Sequence, residues 1–328
     1  MNPAPTHPGA RRPAQHRDGI IAAPMQSLRA GTMSAVLAPE QWLPRRERHR
    51  HRLTALLGPY LDRRARGATH PVIDFLFTYY SFTPSQLMRW HPGFGSTLTG
   101  SASAEYATLR GYRTTGTGVT VDPTHLARRR ETVRYVAGLL EATASRPAHF
   151  GCFGLHEWAM LYRTRPEDVR HSAVPLRLGH TGTDAVVESL QLRCTHYDAY
   201  RFFTPDAGPL NIEPLTRDDQ ARREQPGCLH AAMDLYKYCY KLTPLLDTDL
   251  TVDCFELAYA ARELDMRASP YDLSEYGYPP VPIETPRGRA EYVREQTVLA
   301  ERSTALRAAL LDRCHRLLDA DREHAGRR

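Results

Sequence analysis

Lysine is nearly missing from this chain. Of its 43 basic side chains, only Lys237 and Lys241 are lysines and the other 41 are arginines, in 328 residues. Lysine does what arginine does not: it can lose its proton when buried, attack as an amine and form Schiff bases. A chain that uses arginine almost everywhere yet keeps two amines about one helical turn apart marks residues 224–242 as the stretch to explain.

Other absences narrow the function classes. The six cysteines, Cys152, Cys194, Cys228, Cys239, Cys254 and Cys314, include no Cys-x-x-Cys pair. That excludes the usual zinc-ribbon spacing and fits reduced, mostly buried thiols of a cytoplasmic protein. No apolar run approaches the roughly 18 residues of a membrane span, so no membrane partner is expected. Gly93-Phe-Gly95 and Gly116-Thr-Gly118 lack the strand-before, helix-after context of a dinucleotide loop. His156-Glu157 is followed at position 160 by methionine, so the His-Glu-x-x-His metalloprotease signature fails.

What is present is ordinary for a folded chain: 41% hydrophobic and 24% charged residues, enough for a substantial core. The net charge of +6 favours polyanions without requiring them. Residues 1–38, rich in Pro, Arg, Ala and Gly, read as a disordered basic tail, with Met25 and Met33 as alternative starts of a shorter product. A helical catalytic domain is expected over 39–320, and 321–328 as a frayed end. Apolar periodicity predicts a helix over 40–66, a short aromatic helix ending near 80, and another after Thr83-Pro84 that Pro92-Gly93 stops. Residues 94–121 read as loops with a short hairpin. Asp122-Pro123 opens a helix to about Ala144, and a further helix is expected to carry His149 and His156, seven apart, on one face. Residues 176–180 read as a strand and 193–203 as an extended segment with His196 and Asp198 on one side. Thr216 and Asp219 cap a short charged helix, 248–267 forms a strong helix, 271–286 is irregular and 288–318 forms an exposed helix. The fold class is mainly α: a single multi-helical domain with a few short strands or irregular loops.

The candidate chemistry centres on the helix after Pro226-Gly227. At helical spacing His230, Asp234, Lys237 and Lys241 form one stripe, with Met233, Tyr236 and Tyr240 beside it. A solvated face with Asp234 paired to the lysines explains the stripe. So does a cleft in which a lysine is nucleophile or phosphate contact and Asp234 or His230 is the acid/base. His156 and Glu157 form a second candidate catalytic pair, and Tyr79, Arg89, Trp90 and Trp158 suit either a substrate-stacking wall or a core. A mixed site of His149, His156, Glu157, His196, Asp198, His230 and Asp234 holding a divalent metal for hydrolytic or oxidative chemistry on a small molecule is the rival arrangement. A binding module without catalysis is the third.

Several stretches together carry a family resemblance: His70-Pro-Val-Ile-Asp-Phe-Leu-Phe77, Arg89-Trp-His-Pro-Gly93, Gly154-Leu-His-Glu-Trp-Ala-Met160, Glu224-Gln-Pro-Gly-Cys-Leu-His230 and Asp265-Met-Arg-Ala-Ser-Pro-Tyr-Asp272. From about Glu40 onward the chain resembles a bacterial family commonly labelled 3-methyladenine DNA glycosylase. The resemblance implies a base-excision hydrolase that needs no cofactor and has DNA as partner, cleaving the N-glycosidic bond of an extruded alkylated purine. On that expectation Asp234 stabilises the charge developing on the sugar or activates water, with His230 as its proton partner. Lys237 or Lys241 contacts phosphate or attacks the sugar carbon, and Trp90, Trp158 or Tyr79 stacks the base.

Overall fold

The segments with helical apolar spacing do form helices, and the structure, a computed structural model, describes residues 35–169 and 173–325. In chain order the elements are β1 (Ala35–Leu37), α1 (Pro39–Ala65), α2 (Ile73–Thr78), α3 (Pro84–Leu87), β2 (Ser96–Leu98), α4 (Ala104–Ala107), β3 (Tyr112–Thr115), β4 (Gly118–Val121) and α5 (Pro123–Ala144). There follow α6 (Leu155–Ala159), α7 (Gly179–Ser189), α8 (Tyr197–Tyr200), α9 (Gln220–Arg223), α10 (Leu229–Lys241), α11 (Thr248–Arg267) and α12 (Pro286–Ala325). The mainly α, single-domain reading holds. Among the described residues no helix is long and apolar enough to cross a membrane.

Helix starts follow the sequence chemistry. Asp122 accepts a hydrogen bond from the Thr124 amide at 2.8 Å, and Pro123 fills the first turn, where a missing N–H leaves nothing unpaired. Asp247 caps α11 in the same way through the Leu250 amide, at 3.1 Å. Asp219 accepts from the Thr216 amide at 2.8 Å, as the capping-box spacing implied. The Asp122 carboxyl titrates below its ordinary value: slight burial opposes this, but the Thr124 hydroxyl and amide, then Arg113 and Arg128, outweigh it. Its stabilisation is therefore complete above the ordinary carboxylate range and is lost as pH falls through the lowered pKa. Asp122→Ala is expected to remove about 1 kcal/mol at neutral pH, read as a lower denaturant midpoint at unchanged slope, with the difference shrinking in acid.

The core lies between α10, α11, α5 and α12, with α1 and the aromatic α2 segment closing one side. Phe255 of α11 meets Tyr236 of α10 edge-on at 5.1 Å, and Trp42 of α1 stacks on Trp90 at 6.3 Å. A four-stranded sheet, order β1-β2-β4-β3, covers the N-terminal end, with β1 parallel to β2 and the other pairs antiparallel.

Six expectations are corrected. Strand β1 pairs Ala35 with Ser96, so the folded part begins no later than Ala35, not at 39; residues 1–34, with Met25 and Met33, lie outside the described residues. The 94–121 stretch does contain a hairpin, β3–β4, but it also supplies a third strand, β2, and the short helix α4 where loops were expected. Residues 147–154 are not helical, because Phe153 and Gly154 both take positive φ, and α6 spans only Leu155–Ala159. His180 lies on α7, and only Leu176 of the 176–180 stretch bridges to another segment, at Tyr271. Residues 197–200 form helix α8, not an extended segment. Helix α12 is not an exposed helix ending near 318. It runs to Ala325, buries Gln296, Ser303, Arg307, Leu310 and Cys314, and holds buried Asp321 in an ion pair with Arg130 of α5.

Candidate metal centre

Two glycines set the approach to the site. A Cβ on Gly227 would lie 2.7 Å from the His149 carbonyl oxygen, and the Gly227 carbonyl accepts from Gln296 at 2.7 Å. Gln225 accepts from the His149 amide at 2.9 Å and donates to the His149 carbonyl at 3.1 Å, fastening the chain before α10 to the chain before α6. Gly154, with φ +73°, sits where a Cβ would press on Ala268 at 3.3 Å, so α6 turns straight into the core. His156, Glu157 and Trp158 are buried as a result.

The polar stripe of α10 faces inward. Asp234 is 1% exposed and His230 8%. Asp234 accepts from Lys237 Nζ at 2.7 Å and from the Tyr80 hydroxyl at 3.2 Å. Lys237 also donates to Asp198 at 2.8 Å, which Arg201 pairs at 3.2 Å. Across from Asp234 lies His196, 1% exposed, with Nε2 at 3.4 Å from Asp234 Oδ2 and 3.5 Å from Glu224 Oε2. Neither ring nitrogen of His196 makes an oriented hydrogen bond. Glu224 is fixed by Thr143 Oγ1 at 3.1 Å and Gln220 Nε2 at 3.0 Å. One donor atom each from His196, Glu224 and Asp234 lies within 4.8 Å of the others, all from buried side chains.

A second cluster adjoins the first. His156 Nε2 lies 2.7 Å from Asp265 Oδ1, and Arg262 donates to Asp265 Oδ2 at 3.0 Å and to Glu157 at 2.6 Å. His230 bridges the clusters, its ring 4.5 Å from that of His156 and 5.3 Å from that of His196. Although His156, His230 and Asp265 also group as possible ligands, the His156–Asp265 and Arg262–Asp265 contacts already have hydrogen-bond lengths. Hydrogen bonds join His156, Asp265, Arg262 and Glu157 in this second cluster and leave Arg262 Nε without one, whereas in the first both ring nitrogens of His196 lack one.

The electrostatics separate the groups further. Burial opposes charge on Lys237, but Asp234 and Asp198 outweigh it and hold the ammonium protonated, so its amine is no nucleophile here. Burial likewise opposes charge on Asp234, and Lys237 and His196 keep it ionised. Burial and then His156 hold His230 neutral. Burial works against charge on His196, while Asp234 and then Glu224 raise its pKa. Lys237 already balances Asp234, and a proton on His196 would face the two carboxylates at 3.4 and 3.5 Å, longer than a charge-assisted hydrogen bond.

Of the residues singled out in the sequence, His196, Asp198, His230, Asp234 and Lys237 converge, with His156 and Glu157 in the adjoining network. Tyr79 is half-buried beside them; its hydroxyl is held neutral by burial and by Asp234 and Asp198. His149 is fastened through its backbone and is not part of the cluster. Trp90 and Trp158 are core residues, Trp158 donating to the Ala268 carbonyl at 2.9 Å, and do not line a stacking wall. Arg89 and Lys241 line a separate cleft. The sequence reading passed over Glu224, Asp265 and Arg262. The clue for Arg262 was its place at helical spacing on the apolar stripe of α11 behind Phe255 and Ala258, where a solvated charge does not belong.

Compared with models of protein families, with curated proteins and with solved structures, the chain matches none. The chemistry of the site therefore rests on its own geometry.

Proposed function

We propose that this protein is a metal-dependent enzyme acting hydrolytically on a small molecule, with His196, Glu224 and Asp234 as ligands of one divalent first-row cation. The observation that carries the proposal is the pair of His196 Nε2 separations, 3.4 and 3.5 Å. Charge-assisted hydrogen bonds run to about 2.7–2.9 Å. Donor atoms sharing a tetrahedral ion at bond lengths of about 2.0–2.2 Å sit roughly 3.3–3.5 Å apart. One imidazole with two carboxylates suits zinc, manganese or iron.

The surroundings support the same reading. Thr143 and Gln220 on Glu224, and Tyr80 and Lys237 on Asp234, are the outer partners that orient metal ligands. Three protein ligands leave a coordination position open, the pattern of catalytic and not of structural sites. A cation there would supply Lewis-acid activation of water or of a carbonyl group. Lys237, donating to Asp198 and Asp234, would keep the Asp234 ligand ionised, and neutral His230 lies beside the centre with its ring 5.3 Å from that of His196. N-glycosidic hydrolysis, which the family resemblance implies, would draw on the same Asp234 and His230. Asp234 is 1% exposed, so the buried centre would have to open before a base or any other small substrate reached it.

Chelator-stripped protein titrated with Zn²⁺, Mn²⁺ and Fe²⁺ should bind one ion per chain. At an ion concentration of about 100 Kd the stabilisation is about 2.7 kcal/mol, a rise of several degrees in the thermal midpoint. No stoichiometric binding and no shift with any of the three ions overturns the proposal.

A further inference from the structure

The second lysine leads to a different place. Lys241 closes α10 and, with Arg89, Arg110 and Arg129, surrounds a cleft of about 310 Å³. These four cations come from four separate parts of the fold: the end of the α3 segment, the turn before β3, α5 and α10. Among the described residues no carboxylate lines the cleft. The Arg129 guanidinium donates to the Lys241 carbonyl, which fixes it in place. Buried His91 and His125 form part of the lining. Burial and then Arg89 hold His91 neutral down to about pH 3; burial and then Arg128, Arg129 and Arg110 lower the pKa of His125. Like charges gathered around one concavity repel one another unless an anion joins them.

We infer that this cleft is a binding site for the phosphate group of a small phosphomonoester, distinct from the His196–Glu224–Asp234 centre. Its volume lies at the lower end of small-molecule sites, which run from about 300 to 1,000 Å³. Guanidinium groups recognise phosphate oxygens through forked donors, and an ammonium adds a point charge. Phe82, mostly buried with its ring stacked on Tyr240 at 5.1 Å and 13°, forms part of the apolar lining. Lys241 lies seven residues beyond Asp234 on α10, about 10 Å along the axis at ~1.5 Å per residue. The two sites therefore share a helix and not a cavity. The site does not depend on the metal reading: a phosphate ligand binds or fails to bind whatever occupies the buried centre.

The test is calorimetric titration of the full chain at low salt with adenosine 5′-monophosphate. Adenosine serves as the neutral control, inorganic phosphate as competitor and a 20-base-pair DNA duplex as the polymeric alternative. The expected result is one nucleotide per chain, displaced by inorganic phosphate, with no binding of adenosine. Arg110→Glu and Lys241→Glu should each weaken binding by at least about tenfold, and the milder Arg110→Gln and Lys241→Gln should weaken it less but in the same direction. Thermal midpoints near that of the unmodified protein confirm that the variants fold, and the glutamine pair decides the matter if the glutamate pair does not fold. Three results overturn the inference: no binding of either phosphate compound, nucleotide binding indifferent to all four substitutions, or binding of the duplex alone with affinity falling steeply as salt rises.

Discussion

Replacing Arg262 by methionine is expected to destabilise the protein by about 3–5 kcal/mol, a fall of roughly 5–8 °C in the thermal midpoint. Arg262 is 2% exposed and lies between two buried carboxylates, donating to Glu157 at 2.6 Å and to Asp265 at 3.0 Å. Its guanidinium also sits 4.1 Å from the Phe75 ring, which anchors α2 to α11. Methionine fills most of the volume but takes the cation from between the acids, and burial makes an uncompensated carboxylate far costlier than a missing contact. Arg262→Lys should fall between the two, because one ammonium does not reproduce the fork that reaches both partners. A loss below about 1 kcal/mol for Arg262→Met would show that the network is far more hydrated than its burial implies.

The second large effect concerns metal affinity. His196→Ala and Glu224→Gln each remove a proposed ligand and should weaken binding by more than the about 10–100-fold that losing an outer partner costs. Thr143→Ala and Tyr80→Phe remove only a hydrogen bond to a ligand, at 3.1 and 3.2 Å, and should stay inside that range. His156→Gln lies in the adjoining ion-pair network and should reduce stability more than affinity. Competition against a metal-sensitive dye orders the five variants. Equal affinity in all of them contradicts the ligand assignment.

Much of the fold was legible where helices carry their own punctuation. Asp122-Pro123 marks the start of α5, and the ends of α11 coincide with those read from apolar spacing at 248 and 267. The sheet was mostly illegible, since strands of three or four residues show no period. Helix α12 misled through composition: its Arg and Glu content reads as a solvated face, yet Arg307 and Gln296 lie on the buried one.

The site was half legible. Scarce lysine pointed to the right helix, but the two lysines have unlike surroundings. Lys237 is clamped between Asp198 and Asp234, and Lys241 stands in a cationic cleft. Extended or helical, residues 193–203 bring His196 and Asp198 to α10, so a wrong local assignment still named converging residues. Glu224 escaped notice because it precedes α10 in an irregular turn, where no periodicity ties it to Asp234. Only the folded chain sets it 3.5 Å from His196.

Crystals of the full chain soaked in millimolar Mn²⁺ and in Zn²⁺, with anomalous maps on the two sides of each absorption edge, test the metal centre most directly. The account predicts one strong peak per chain within bonding distance of His196 Nε2 and of carboxylate oxygens of Glu224 and Asp234, about 2.0–2.2 Å for zinc. It predicts none between His156 and Asp265. A map with no peak at His196, or with its strongest peak in the His156–Asp265–Arg262 network, would contradict it.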